Sequence, residues 1–92
     1  MSGETGEARL KRLRMRSWRR GTKEMDLMLG PFADAHLAGL SEAELLTYDA
    51  LLAENDQDLM AWTLGQSAPP AGLAPLLARI TAFGETRLKA GI

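Results

Sequence analysis

Ninety-two residues, 46% of them hydrophobic and 25% charged, make a chain long enough for one modest core and too short for two. With no cysteine and a single histidine, His36, it excludes disulfides, thiol nucleophiles and the usual zinc sites. The net charge of −1 conceals a division: residues 1–24 hold eight Lys and Arg against three acids, and residues 25–92 hold three against nine, which predicts one basic face and one acidic.

Residues 1–7 are small and polar and are expected to be disordered. From Ala8 to Arg19, Leu10/Leu13 and Met15/Trp18 are spaced by three among bases, which predicts a short helix with an imperfect apolar face. Met25, Met28, Leu29, Phe32, His36 and Leu37 form one helical stripe, so a helix is expected over about residues 22–38, bent near Gly30-Pro31 or broken there. Its methionines are read as core filling. Gly39 ends it. Ser41-x-x-Glu44 is a capping box, flanked by Leu40 and Leu45 at staple positions, for a helix of about residues 41–53 that buries Leu45, Tyr48 and Leu52, widened by Leu46 and Leu51.

Asn55 or Asp56 caps a short fourth helix that presents Leu59 and Trp62 and stops at Gly65. After the loop around Pro69-Pro70, the residues Leu73, Leu76, Leu77, Ile80 and Phe83 define a last helix, with Pro75 tolerated in its first turn. Beyond Gly84 the pattern fades, and residues 85–92 are expected to fray. No stretch alternates with period two and valine is absent, so strands are not expected. The fold class is all-α: a bundle of five short helices forming a single domain over residues 8–84. No apolar run approaches the roughly 18 residues that span a bilayer. The arginine-rich start has the base content of a mitochondrial presequence, but Glu4 and Glu7 argue against a removable segment.

Catalytic templates fail in turn. There is no cysteine, His36 has no serine at an informative spacing, no glycine-rich phosphate loop occurs, and Asp56/Asp58 have the look of capping residues. A core this small can hardly enclose a flavin or nucleotide. The expectation is a protein that binds and has no catalytic site of its own.

Arg19-Arg20-Gly21-Thr22-Lys23-Glu24 concentrates the recognition chemistry. Gly21 marks a helix boundary, and Glu24 falls in the first turn of the next helix, against the positive end of its dipole. Two readings stay open from the residues alone: a solvated junction, or a rigid exposed corner where Arg20 and Glu24 flank bare backbone that a partner can approach. A small basic-faced nucleic-acid binder is the alternative function, since the bases at positions 9–23 could neutralise phosphates; the acidic remainder opposes it.

Arg20-Gly21-x-x-Glu24 resembles the RGxxE motif of the succinate dehydrogenase flavinylation and assembly factor family. The similarity continues through Asp26, Pro31-Phe32, Leu40-Ser41-x-x-Glu44, Tyr48-Asp49-x-Leu51-Leu52 and Asn55-Asp56-x-Asp58-Leu59-x-x-Trp62, spanning about residues 9–83. Gly30 before Pro31, where family members often carry a larger residue, and Ala33 after Phe32, where some carry an aromatic, are departures that bear on packing.

The resemblance implies an FAD assembly factor whose partner is the flavoprotein subunit of succinate dehydrogenase, with fumarate reductase as a second candidate. FAD would belong to the partner, not to this chain. Its contact residues would be Arg20, pairing with partner acids or carbonyls, Gly21, permitting close backbone approach, and Glu24, near the attachment histidine, with Arg19, Asp26 and Asp58 in support. No metal, nucleic acid or membrane insertion is expected. The factor would be a monomer, cytoplasmic in a bacterium and in the mitochondrial matrix in a eukaryote.

Overall fold

Side-chain oxygens decide where the chain turns helical. The computed structural model describes residues 4–90, with side chains described to residue 86. Thr5 accepts from the Ala8 N–H to open α1 (Gly6–Ser17), and Thr22 accepts from Met25 to open α2 (Lys23–His36). Ser41 and Glu44 form the reciprocal capping box of α3 (Glu42–Leu52), and Asn55 caps α4 (Asp56–Thr63) by accepting from Asp58. Each such cap is worth about 1 kcal/mol. Helix α5 (Ala74–Ala90) carries Pro75 at its second position, where no helical N–H is needed. No strand occurs among the described residues.

Several boundaries differ from the sequence reading. The expected disordered start, 1–7, partly lies outside the described residues; within them, the Thr5 cap starts α1 two residues earlier than Ala8. Helix α2 passes through Pro31 without interruption and is followed by a 3₁₀ turn, Leu37–Gly39. Proline removes one N–H here, the one that would have served the Leu27 carbonyl, and Leu27 stands on the exposed side of the helix. Through the stretch expected to fray, 85–92, helix α5 runs as far as Ala90, and residues 91–92 lie outside the described set. One glycine, Gly84, costs only about 1 kcal/mol in a helix interior. At Gly65, the sole described residue with positive φ (+76°), the chain closes α4: Gln66 N–H bonds to Ala61 O and Gly65 N–H to Trp62 O, the paired bonds of a Schellman stop.

The apolar faces meet in one cluster that includes Leu13, Met25, Leu29, Phe32, Tyr48, Leu51, Leu59 and Ile80. Phe32 sits at its centre, stacked on Tyr48 at 6.1 Å and edge-on to Phe83 at 5.8 Å, while His36 packs against both phenyl rings. Leu46, expected to widen the buried face of α3, is exposed, as are much of Met15 and Trp18. A polar residue takes the place of those two on α1: Ser17 is fully buried. Its hydroxyl donates to Leu13 O, which can only accept, so the Tyr48 phenol donates to Ser17 across 2.5 Å.

The predicted division into basic and acidic faces is overturned by pairing between helices. Arg9 meets Glu42, Arg12 meets Glu4 and Asp49, Arg14 meets Asp34, Arg16 meets Asp49, and Arg20 meets Asp56. Hydrogen bonds from Arg12 hold the Asp49 and Glu4 carboxyls below the usual carboxylate range, and the Ser41 N–H does the same for Glu44. Charges separated along the sequence are thus interleaved in space, on the helix α1 side above all.

Candidate functional site

The corner between α1 and α2 is built from residues 18–26 and from the junction of α3 with α4, residues 52–56. Helix α1 stops at Ser17, and Trp18 follows it over α2, laying its indole on Gly30 so closely that a Cβ there would overlap the ring. Trp18 Nε1 donates to Asp34 at 3.3 Å. The departure at Gly30 is therefore matched by Trp18: a larger residue would have to displace the indole.

Beyond Trp18 the chain turns, and Arg20 faces inward. Its side chain is only 10% exposed, and all three guanidinium nitrogens donate: Nε to Asp56 Oδ1 at 2.8 Å, Nη1 to Leu52 O and Nη2 to Glu54 O, each at 2.6 Å. Leu52 is the last residue of α3 and Asp56 the first of α4. The guanidinium therefore sits at the negative end of one helix dipole and its carboxylate partner at the positive end of the next. Arg16 adds a bond to the same Leu52 carbonyl at 3.2 Å. Where pairing with a partner's acids is expected of Arg20, each of its guanidinium nitrogens already donates within the chain, because α3 ends on carbonyls that need donors.

The backbone of the corner is held as well. Arg20 N–H donates to Asp26 Oδ1 and Gly21 N–H donates to Asp56 Oδ2, both at 2.6 Å. Asp26 thus braces the corner from inside. Gly21 is exposed, but its N–H is not bare.

On the outer side, Arg19, Lys23 and Glu24 are exposed and make no side-chain hydrogen bond or ion pair among the described residues. Glu24 stands in the first turn of α2, as its spacing from Thr22 requires. Asp58 is exposed too, bonded to the Asn55 amide within its own helix cap. Six residues named from the sequence thus divide: Arg20 and Asp26 hold the corner, Gly21 sits on it, Arg19 and Glu24 project from it, and Asp58 lies one half-turn beyond Asp56 on α4.

The sequence missed Asp56 as a site residue, having read it as a cap. Its one signal is its place in Asn55-Asp56-x-Asp58-Leu59, which names neither Arg20 nor the carbonyls that complete the set. No group of three or more potential metal ligands occurs among the described residues, and no described helix is long and apolar enough to cross a membrane. Phosphate neutralisation is poorly served: of the eight early bases, Lys11, Arg19 and Lys23 alone are exposed and unpaired among the described residues.

Residues 11–84 match a family model described as the flavinator of succinate dehydrogenase. The FAD assembly factor SdhE of Haemophilus ducreyi is 40% identical over 68 residues, covering 73% of this chain and 83% of that protein. Two proteins named succinate dehydrogenase assembly factor 2, mitochondrial, are also similar. That of Meyerozyma guilliermondii is 46% identical over 61 residues, 66% of this chain and 45% of its own length. That of Aspergillus terreus is 42% identical over 71 residues, 77% of this chain and 24% of its own. The chain spans less than half the length of either mitochondrial relative.

Proposed function

The chain belongs to the family of flavinators of succinate dehydrogenase, and from that membership we propose that it promotes covalent attachment of FAD to the flavoprotein subunit of that enzyme, acting as an assembly factor through the outer side of the α1–α2 corner. The observation that carries the site is the contrast within the motif. Arg20 is locked inside, while Glu24, three residues past Gly21, projects beside two cations, Arg19 and Lys23, and none of the three has a side-chain partner among the described residues.

A helper of this kind lowers a barrier by orientation and by fixed charge. Glu24 sits at the rigid end of a helix, so its carboxylate can hold a polar group of the partner, such as the histidine that receives the flavin, in one position. Arg19 and Lys23 meet acids or carbonyls at the rim. The corner does not need to enter the covalent chemistry. FAD stays with the flavoprotein. Two shallow grooves do not suit it: that along α1 is lined by Thr5, Glu7, Ala8, Leu10, Lys11 and Arg14, none of them aromatic, and that beside Trp62 has no cation among its described lining residues for a pyrophosphate.

The test is to combine the purified flavoprotein subunit, FAD and this protein, denature the mixture, and measure flavin fluorescence that remains with the polypeptide. Fluorescence should rise well above the level without the factor. If this protein leaves attachment unchanged and forms no complex with the subunit, the reading is wrong.

A further inference from the structure

The geometry points to Asp56 as the positioning residue of the corner: its carboxylate grips the Gly21 peptide and so sets the direction in which Glu24 is presented, and residue 21 lacks a side chain to admit this carboxylate rather than a partner. The inference rests on the function proposed above and deepens it.

Three observations converge. Both oxygens of Asp56 are engaged on adjacent residues, Oδ1 by Arg20 Nε at 2.8 Å and Oδ2 by Gly21 N–H at 2.6 Å. Charge-assisted bonds of this kind are roughly twice as strong as neutral ones. Next, Gly21 does not have positive φ, so backbone conformation places no demand for glycine there. Space does: a Cβ on residue 21 would lie 3.0 Å from Asp56 Oδ2 and would meet no other atom within 4 Å. Finally, the peptide on the other side of Arg20 is fixed by Asp26, so successive N–H groups of the corner are each bound to a carboxylate. From that clamp only Thr22, the cap, and Lys23, the first helical residue, intervene before Glu24. A shift of the Gly21 peptide is therefore carried directly into the aim of the Glu24 carboxylate, and a misplacement of about 1 Å can cost two orders of magnitude in an oriented reaction.

A double-mutant cycle separates this from the alternative that Gly21 is small to let a partner approach. Gly21→Ala and Asp56→Ala are each expected to lower flavin attachment about tenfold, and the double variant no further than Asp56→Ala, because the contact that alanine disturbs has already gone. The loss should fall on the maximal rate at saturating factor. A merely structural defect would instead be cured by adding more protein. Asp56→Ser repeats the cycle with a smaller disturbance of α4.

A measurement without substitution at residue 56 completes the test: the Gly21 amide, although exposed, should exchange its hydrogen slowly in the full chain. Equal losses from Gly21→Ala with and without Asp56, recovery of the variants at high factor concentration, or exchange at the rate of an open turn would each overturn the inference. Should the unmodified protein fail to promote attachment, the proposed function falls, and the exchange measurement still judges the clamp.

Discussion

The inward and outward sides of the α1–α2 corner use the same residue types to opposite ends. Inward, Arg20 donates to three acceptors on two other helix ends and is paired with Asp56, itself only 15% exposed. Outward, its neighbour Arg19 lies in solvent with no side-chain partner among the described residues. One position along the chain separates a residue that holds three helices together from one that has all its donors available. The difference lies in what surrounds each: the open carbonyls at the end of α3 are a standing demand for donors, and Arg20, unlike Arg19, is placed to answer it. A motif that reads as one recognition unit is thus two, a foundation and a display.

The sharpest way to break this comparison is Arg20→Ala beside Arg19→Ala. Loss of Arg20 takes the guanidinium from Asp56 and the donor from Glu54 O in a part-buried site, leaving Leu52 O to Arg16 alone, and should cost about 3 kcal/mol, lowering Tm by roughly 10–20 °C in a domain this size. Loss of Arg19 should stay within about 0.5 kcal/mol. Equal effects on thermal unfolding would erase the distinction between the two sides.

Next in size is Gly30→Ala. If the inward side extends to the indole over α2, the added methyl must push Trp18 off the helix at a cost of about 2 kcal/mol, with a change in tryptophan emission. Unaltered emission and stability would confine the inward side to Arg20 and its acceptors.

A third probe is pH. Burial pushes the Tyr48 phenol up to about 12. Since the fold favours the neutral phenol, that contribution is intact below about pH 10, the ordinary tyrosine value, and is lost as pH rises from there through about 12. Tyr48 is the only tyrosine, so phenolate absorbance reports it alone. Ionisation near pH 10 in the folded protein would mean that the wall behind α1 is open to water.

Smallest in stability is Glu24→Gln, expected to move unfolding by less than about 0.5 kcal/mol because the side chain is exposed and makes no hydrogen bond or ion pair among the described residues. Flavin attachment should nonetheless fall at least tenfold. A variant that attaches flavin normally would remove Glu24 from the display side.

Much of the fold could be read in advance because its signals are local. Ser41 with Glu44, Asn55 and Gly65 each mark a helix end through bonds within a few residues, and each acts there as its type suggests. Long-range partners carry no such mark. The acceptors of Arg20 include two main-chain carbonyls, which any residue supplies, so nothing in Leu52 or Glu54 announces them. Ser17 on a helix face flanked by Met15 and Trp18 gives no sign that it, and not they, goes inside; only Tyr48, 31 residues away, explains it. Of the site, Glu24 and Gly21 were placed by pattern, while Asp56 required the fold.

The interleaving of arginines and acids also governs how this molecule meets others. Arg9, Arg12, Arg14 and Arg16 each present, to a body tens of ångströms away, a short dipole in place of a bare charge. Such fields vanish within about one Debye length, so collisions are not funnelled from a distance. Encounter should run at the unsteered pace of about 10⁵–10⁶ per molar per second, and discrimination begins only at touch.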